Sequence, residues 1–350
     1  MTPTTGTTGT DDRHDRDRRP ARPGPTTGPM GPVGPVGGRA APAAAAALPA
    51  TVENTLSPGG RAMAHTVVAG IDGSQESRAA AEWAAREARL RGVPLRLVHV
   101  WEPAPEPLAQ APLLGTETSQ HWSERIPRET AEELRARHPG VEIAEEQLTG
   151  HPADVLADAA KGAVVLVLGS RGMSGIGGFL VGSVGLAVIA HTEVPVVLVR
   201  ALEERAADRS GPVVLGLDIA SPDASVMAFA FEEAARRGTS VHAVNAWSLP
   251  SSYAYGLAAG VDLYAEVARE RTATLTEMLG EWERKFPDVE VKGESRFGPA
   301  AQHIVEASHR ASLVVVGRRV RRTPLGAHIG SVTHAVLHHA AAPVAVVAHD

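Results

Sequence analysis

The stretch VVAGIDGSQESRAAAEWAAREARLRG, Val67 to Gly92, decides the fold. A short β-branched run reaches Asp72 and Gly73, and Ser74 follows in position to cap a helix. Ala80, Trp83, Ala84 and Ala88 then recur at the spacing of one helical face, and Gly92 stops the helix. A second apolar run, Leu95 to Val100, begins at once. Strand, helix and strand in that order, with strands that do not alternate in polarity, specify a parallel unit covered by helices.

The unit is written twice. VVLGLDIASPDASVMAFAFEEAARRG, from Val213, repeats the opening stretch at a constant offset of 146 (72 to 218, 92 to 238, 101 to 247). Gly150, Gly169, Gly182 and Pro195 find partners in Gly298, Gly317, Gly330 and Pro343, now 148 positions on. A duplicated domain with a small difference in one loop produces this pattern. In each copy a long variable connection and a helix follow the second strand, clearest from Val261 to Lys285. A third strand (Val141 to Leu148 in copy one), a helix after Gly150, a strand–glycine–helix stretch and a last strand complete the unit.

This reading predicts two tandem Rossmann-like domains, residues 63–203 and 211–350. Each is expected to hold a five-stranded, mainly parallel sheet with helices on both faces, its first strand running from His65 to Ile71. Ligands of such sheets sit beyond the carboxyl ends of the strands, where the strand order reverses. Residues 1–62, rich in Thr, Gly, Pro and Ala with a mixed-charge run, read as a disordered low-complexity tail.

Composition narrows the function. The 350 residues are 43% hydrophobic and 21% charged, as in globular domains, and aromatics at 4% leave the cores to Val, Leu, Ile and Ala. A net charge of −6 argues against nucleic-acid or anionic-membrane binding. The absence of cysteine excludes a disulfide framework, a thiolate nucleophile and a Cys metal site, and suits a cytoplasmic protein. No apolar run reaches the length of a spanning helix. The Ala-rich stretch from Arg39 to Ala50 is broken by Pro42 and Pro49 and lacks the layout of an export signal.

The chemistry concentrates in LVLGSRGMSGIGGFLVGSVGLAVIAHTEVPVVLV, Leu166 to Val199. It has no G-x-x-x-x-G-K-S/T, and it follows the fourth strand rather than the first, where a dinucleotide motif would stand. Gly169, Gly172 and, nine residues later, Gly182-Ser183 at a helix start let the backbone approach a ligand with its N–H groups exposed. The amides of Gly182, Ser183 and Val184 at that helix start would favour an anion.

The pattern G-2x-G-9x-G-S/T after the fourth strand, with Asp just after the first, resembles the ATP-binding branch of the universal stress protein family. LVHVW, GHPADVL and HTEVPVVLV extend the resemblance, which runs from His65 to His349. It implies an adenine nucleotide alpha hydrolase-like fold that binds ATP. The loop of Gly70, Ile71 and Asp72 and the backbone near Val100 would hold adenine and ribose. Gly169, Ser170, Arg171, Gly172, Gly182, Ser183 and Val184 would hold the phosphates, with Mg2+ bound through the phosphates themselves. In the family the last strands pair across a two-fold axis. Pro195–Arg200 and Pro343–His349 are thus expected to join the domains within the chain, and a homodimer through these strands is a further expectation.

Copy two departs from the pattern. Gly216, Asp218, Gly317, Gly330, Ser331 and Val332 stand at matching positions, but Val320 replaces the second glycine, and a β-branched residue cannot take positive φ cheaply. Arg318, Arg319, Arg321 and Arg322 crowd the loop, either to meet phosphates directly or as a solvated basic rim. Copy one is therefore expected to be the better site.

The remaining candidates are weaker. His334 and His338 lie four apart, but a zinc site would want a third ligand and a carboxylate, and His339 aligns with His191 in the turn before the last strand. No base is placed to activate water at the phosphates, so no catalytic or metal-ligating residue is assigned. The leading expectation is a nucleotide-dependent regulator. The alternatives are a slow ATP or adenylate hydrolase and a nucleotide-independent scaffold.

Overall fold

The computed structural model describes residues 65–102, 116–170, 182–201, 210–248, 261–320 and 329–350, with backbone alone for 116–122 and 261–263. The first domain runs β1 (Val67–Ile71), α1 (Gln75–Arg91), β2 (Leu95–Trp101), α2 (Thr116–Arg137), β3 (Ile143–Thr149), α3 (Pro152–Ala159), β4 (Val165–Ser170), α4 (Ser183–His191) and β5 (Val196–Arg200). The second repeats this order as β6 (Val213–Gly216), α5 (Ala224–Arg237), β7 (Val241–Trp247), α6 (Val261–Lys285), β8 (Val291–Phe297), α7 (Ala300–Ser308), β9 (Leu313–Arg319), α8 (Ser331–His339) and β10 (Val344–His349).

Local chemistry sets these boundaries. The Ser74 side chain accepts the Ser77 N–H at the start of α1, and Gly92 closes the helix at φ 64°. Asp223 and Gly238 do the same for α5, with Gly238 at φ 60°. The first strand is two residues shorter than expected from the sequence because His65 lies in a turn at φ 74°. The third starts two residues later, since the Val141 N–H is taken by the His138 carbonyl at the end of α2.

The strands form one ten-stranded sheet, ordered β3-β2-β1-β4-β5-β10-β9-β6-β7-β8. Neighbours are parallel within each domain. At the centre β5 and β10 pair antiparallel, with Val197 opposite Ala345. In each domain the chain turns outward in opposite directions from β1 and β4, or from β6 and β9, which opens a crevice at their carboxyl ends.

Each face of the sheet carries an apolar core that continues through the domain junction. One lies under α1, α2, α5 and α6 and includes Trp83, Leu134, Phe231 and Trp282. The other lies under α3, α4, α7 and α8 and includes Leu156, Ile189, Ile304 and Leu337. Both edges of β5 and of β10 are bonded within the chain, to β4 and β10 and to β5 and β9. The expected joining of the two domains within the chain is met where Val196–Leu198 pair with Val344–Val346.

Side chains reinforce the junction on both faces. Glu87 and Glu233, 1% and 0% exposed, lie at matching positions of α1 and α5, each within ion-pair distance of both Arg91 and Arg237. On the other face the Arg200 guanidinium donates to the Leu337 carbonyl near the end of α8, at 2.8 Å. Arg318 donates to the Thr192 carbonyl at the end of α4, at 2.7 Å. Each cation thus meets the negative end of a helix across the junction. Burial brings the Arg200 pKa down to about 10 and lowers that of Arg318, opposed by Glu193.

Candidate functional site

In the first domain a cleft of about 300 Å³ opens at the carboxyl ends of β1 and β4. Its floor is apolar, from Val98, Val100, Leu156 and Leu168, and its rim is polar. Gly70, Ile71, Asp72, Val100, Gly169, Gly182, Ser183 and Val184 all line it, so residues spread from position 70 to 184 converge on one cavity.

The turn after β1 is built around Asp72. Its Oδ1 accepts the Ser74 N–H at 3.0 Å and the Ser74 hydroxyl, and its own N–H is held by the Ser77 hydroxyl at 3.2 Å. Gly73 takes φ 80°, a conformation that a side chain would strain, and lets α1 begin within three residues of the strand. The first turn of α1 packs onto Gly169, where an added Cβ would stand 2.6 Å from the Glu76 carbonyl carbon. Glycine at 169 is therefore a close-approach requirement between helix and strand.

At the opposite rim α4 begins at Gly182, and no side chain caps it. The first amides of the helix face the cleft, beside a Val184 that is 36% exposed. The Ser170 side chain is buried, and its hydroxyl donates to the Val199 carbonyl at 3.2 Å. Arg171 and Gly172 lie outside the described residues.

The second domain has a larger cleft, about 470 Å³, in the equivalent place. Gly216, Asp218, Gly317, Gly330 and Val332 line it, and α8 also begins without a side-chain cap. Asp218 Oδ1 accepts the Ala220 N–H at 3.0 Å, parallel to Asp72. Ser331 stands at the helix start but outside the lining, and Thr333 faces the cleft and donates to the Gly317 carbonyl at 2.8 Å. The expectation for Arg318 is corrected: alternation along β9 sends it to the domain junction, and Arg319 faces the cleft instead. Arg321 and Arg322 lie outside the described residues. Val320 continues the strand pairing, its N–H bonded to the His349 carbonyl at 2.6 Å. Among the described residues only His65 combines a side chain with positive φ, so Val320 is not in the left-handed region.

Sequence reasoning missed one pair of positioning groups. His99 is buried on β2, with Nδ1 2.8 Å from the Ile71 carbonyl and Nε2 2.8 Å from the Ser123 hydroxyl. A carbonyl can only accept, so Nδ1 carries the proton and Nε2 accepts from Ser123. At the same position of β7 the Asn245 amide donates to the Leu217 carbonyl at 3.0 Å. Both side chains pin the residue just before the cleft aspartate. The signal was available, a second polar residue in each of these strands, His99 after Arg96 and Asn245 after His242.

Two α/β domains joined through one sheet, each with a cleft at its strand-order switch, define a tandem α/β architecture with one cleft per domain. The model of the Universal stress protein family matches residues 63–200 and 210–348. A universal stress protein of Mycolicibacterium smegmatis is 33% identical over 288 residues, covering 80% of this chain and 96% of that protein. One of Mycobacterium tuberculosis is 33% identical over 303 residues, covering 81% and 96%. The chain belongs to the universal stress protein family. The crystal structure of a universal stress protein from Archaeoglobus fulgidus covers 81% of this chain and 98% of its own, with TM-score 0.61 and 17% identity, a likeness of fold alone. Among the described residues no helix is long and apolar enough to cross a membrane.

Proposed function

We propose that the protein is an ATP-binding regulator whose first domain is the better nucleotide site. One observation carries this reading: the uncapped start of α4, Gly169 and Asp72 converge on a single cleft with an apolar floor. Adenine is a flat apolar ring with polar edges and suits the floor formed by Val98, Val100 and Leu156. The phosphates lie at the amides of Ser183 and Val184, where the helix dipole and the N–H groups of a first helical turn favour negative charge. Mg2+ comes bound through the phosphates themselves, as the family resemblance implies.

A ligand that binds the native state alone raises its stability by about 2.7 kcal/mol at a hundred times Kd. Regulation then follows if ATP binds one conformation better than another. The test is the nucleotide content of protein purified without added ligand, repeated with Gly182→Glu, which places bulk and negative charge at the helix start. About one ATP per chain is expected from the first cleft, lost in a folded Gly182→Glu variant, and any nucleotide that this variant retains belongs to the second cleft. Protein that is empty, and that ATP with Mg2+ neither binds nor stabilises, overturns the reading in favour of a nucleotide-independent scaffold.

A further inference from the structure

The two clefts differ because α5 starts one turn late. Ile219 stands where the first domain has Gly73, and a β-branched residue does not take the positive φ of that turn. The chain instead makes a turn closed by the Ser221 N–H on the Asp218 carbonyl, and the helix is capped by Asp223, the counterpart of Ser77. The missing turn leaves the space over Gly317 open. His349, the last residue of β10, enters it, with Nε2 2.8 Å from where a Gly317 Cβ would stand. Its counterpart in the first domain, Ala201, could not fill that space.

The result is a polar extension of the second cleft, formed by Ser221, Asp223, Arg319 and His349. Arg319 is exposed, and its guanidinium donates to the Ser221 hydroxyl at 2.7 Å. Asp223 shares this extension: Oδ1 accepts the Ser225 and Val226 amides, and Oδ2 lies 3.7 Å from His349 Nδ1, while His349 Nε2 is turned to the Gly317 side. In the first cleft the equivalent rim presents Ser74, Glu76 and Ser77.

We propose that the second cleft holds nucleotides through the side chains of Arg319 and His349, which meet the terminal phosphate and make this site select nucleoside triphosphate over monophosphate. The inference rests on the nucleotide reading of the clefts given above. A guanidinium offers planar, charge-assisted donors, and its contribution grows with the charge of the group it meets. Backbone amides at a helix start hold one phosphate with little regard to what extends beyond it. The two domains thus differ in what they report, the first the presence of an adenine nucleotide, the second its phosphorylation state.

The experiment is calorimetric titration of Gly182→Glu protein with ATP and with AMP, so that the second cleft is read alone; Ser183→Asp serves if that variant does not fold. The expected result is ATP binding at least about tenfold tighter than AMP, with Arg319→Met and His349→Ala each removing most of the difference while AMP affinity changes by less than about twofold. Equal affinities, or a preference that survives both substitutions, overturn the proposal. No binding to Gly182→Glu, while the native protein holds one nucleotide, also overturns it and leaves the first-cleft reading intact. A native protein that binds no nucleotide removes both.

Discussion

The carbonyl of Ile71 must be held still if Asp72 is to keep its place at the cleft, and His99 holds it. His99→Ala would leave that carbonyl and the Ser123 hydroxyl without their buried partner, at a cost of about 1–3 kcal/mol. His99→Asn copies the residue of the second domain, whose amide reaches the equivalent carbonyl, and keeps the first of these bonds. Denaturant unfolding should therefore rank His99→Asn clearly above His99→Ala. Equal losses would show that the histidine serves by bulk alone. Sequence made the cleft aspartates and glycines visible because each obeys a local rule about turns and helix starts. It was silent on His99, whose role depends on a neighbouring strand meeting it in register.

At the scale of elements, the two opening helices show how one residue moves a boundary. Gly73 permits an immediate helix start capped by Ser74; Ile219 postpones the start of α5 to Asp223. The Asp223 carboxyl feels some burial, but hydrogen bonds from Ser225 and Val226 and the nearby His349 hold its pKa below the ordinary value. A depressed folded-state pKa means that the ionised cap stabilises the fold above the unfolded pKa, near 4, and that this support fades as pH falls through the folded value. Asp223→Ala should cost about 1 kcal/mol at neutral pH. The gap to the native protein should narrow below about pH 4. Thermal unfolding over a pH series checks this, and a gap independent of pH would remove the charge from the account.

At the scale of the whole molecule, Glu87 and Glu233, with Arg91 and Arg237 between them and Arg236 beside Glu233, tie α1 to α5 across the domain junction. Burial opposes the charge on Glu87, but Arg237 and Arg91 overcome it and hold its pKa low. Burial and the adjacent Glu87 charge push Glu233 up, because the second carboxylate must ionise beside the first. Removing one partner of such a buried set costs about 3–5 kcal/mol. Glu87→Gln and Glu233→Gln should therefore each cost stability of this order at neutral pH. Urea unfolding of both variants decides it, and losses within about 0.5 kcal/mol of the native protein would mean that the cluster does not stabilise the junction. The sheet contributes to the same junction through apolar residues of β5 and β10, while its outer strands β3 and β8 carry Glu145, Glu146, Lys292, Glu294 and Arg296, charges that discourage further pairing.

The sequence by itself determined the fold of each half, its duplication and the place of the two clefts. Those features follow from periodicity, turn chemistry and the topology of parallel sheets, all of which act over short spans of chain. Only the tertiary structure decided that Arg319 rather than Arg318 faces the second cleft, that His349 enters it, and that Glu87 meets Arg237. Each of these rests on side chains distant in sequence competing for one space. A helix that begins a turn late leaves a void, and what fills it depends on which distant strand ends beside it.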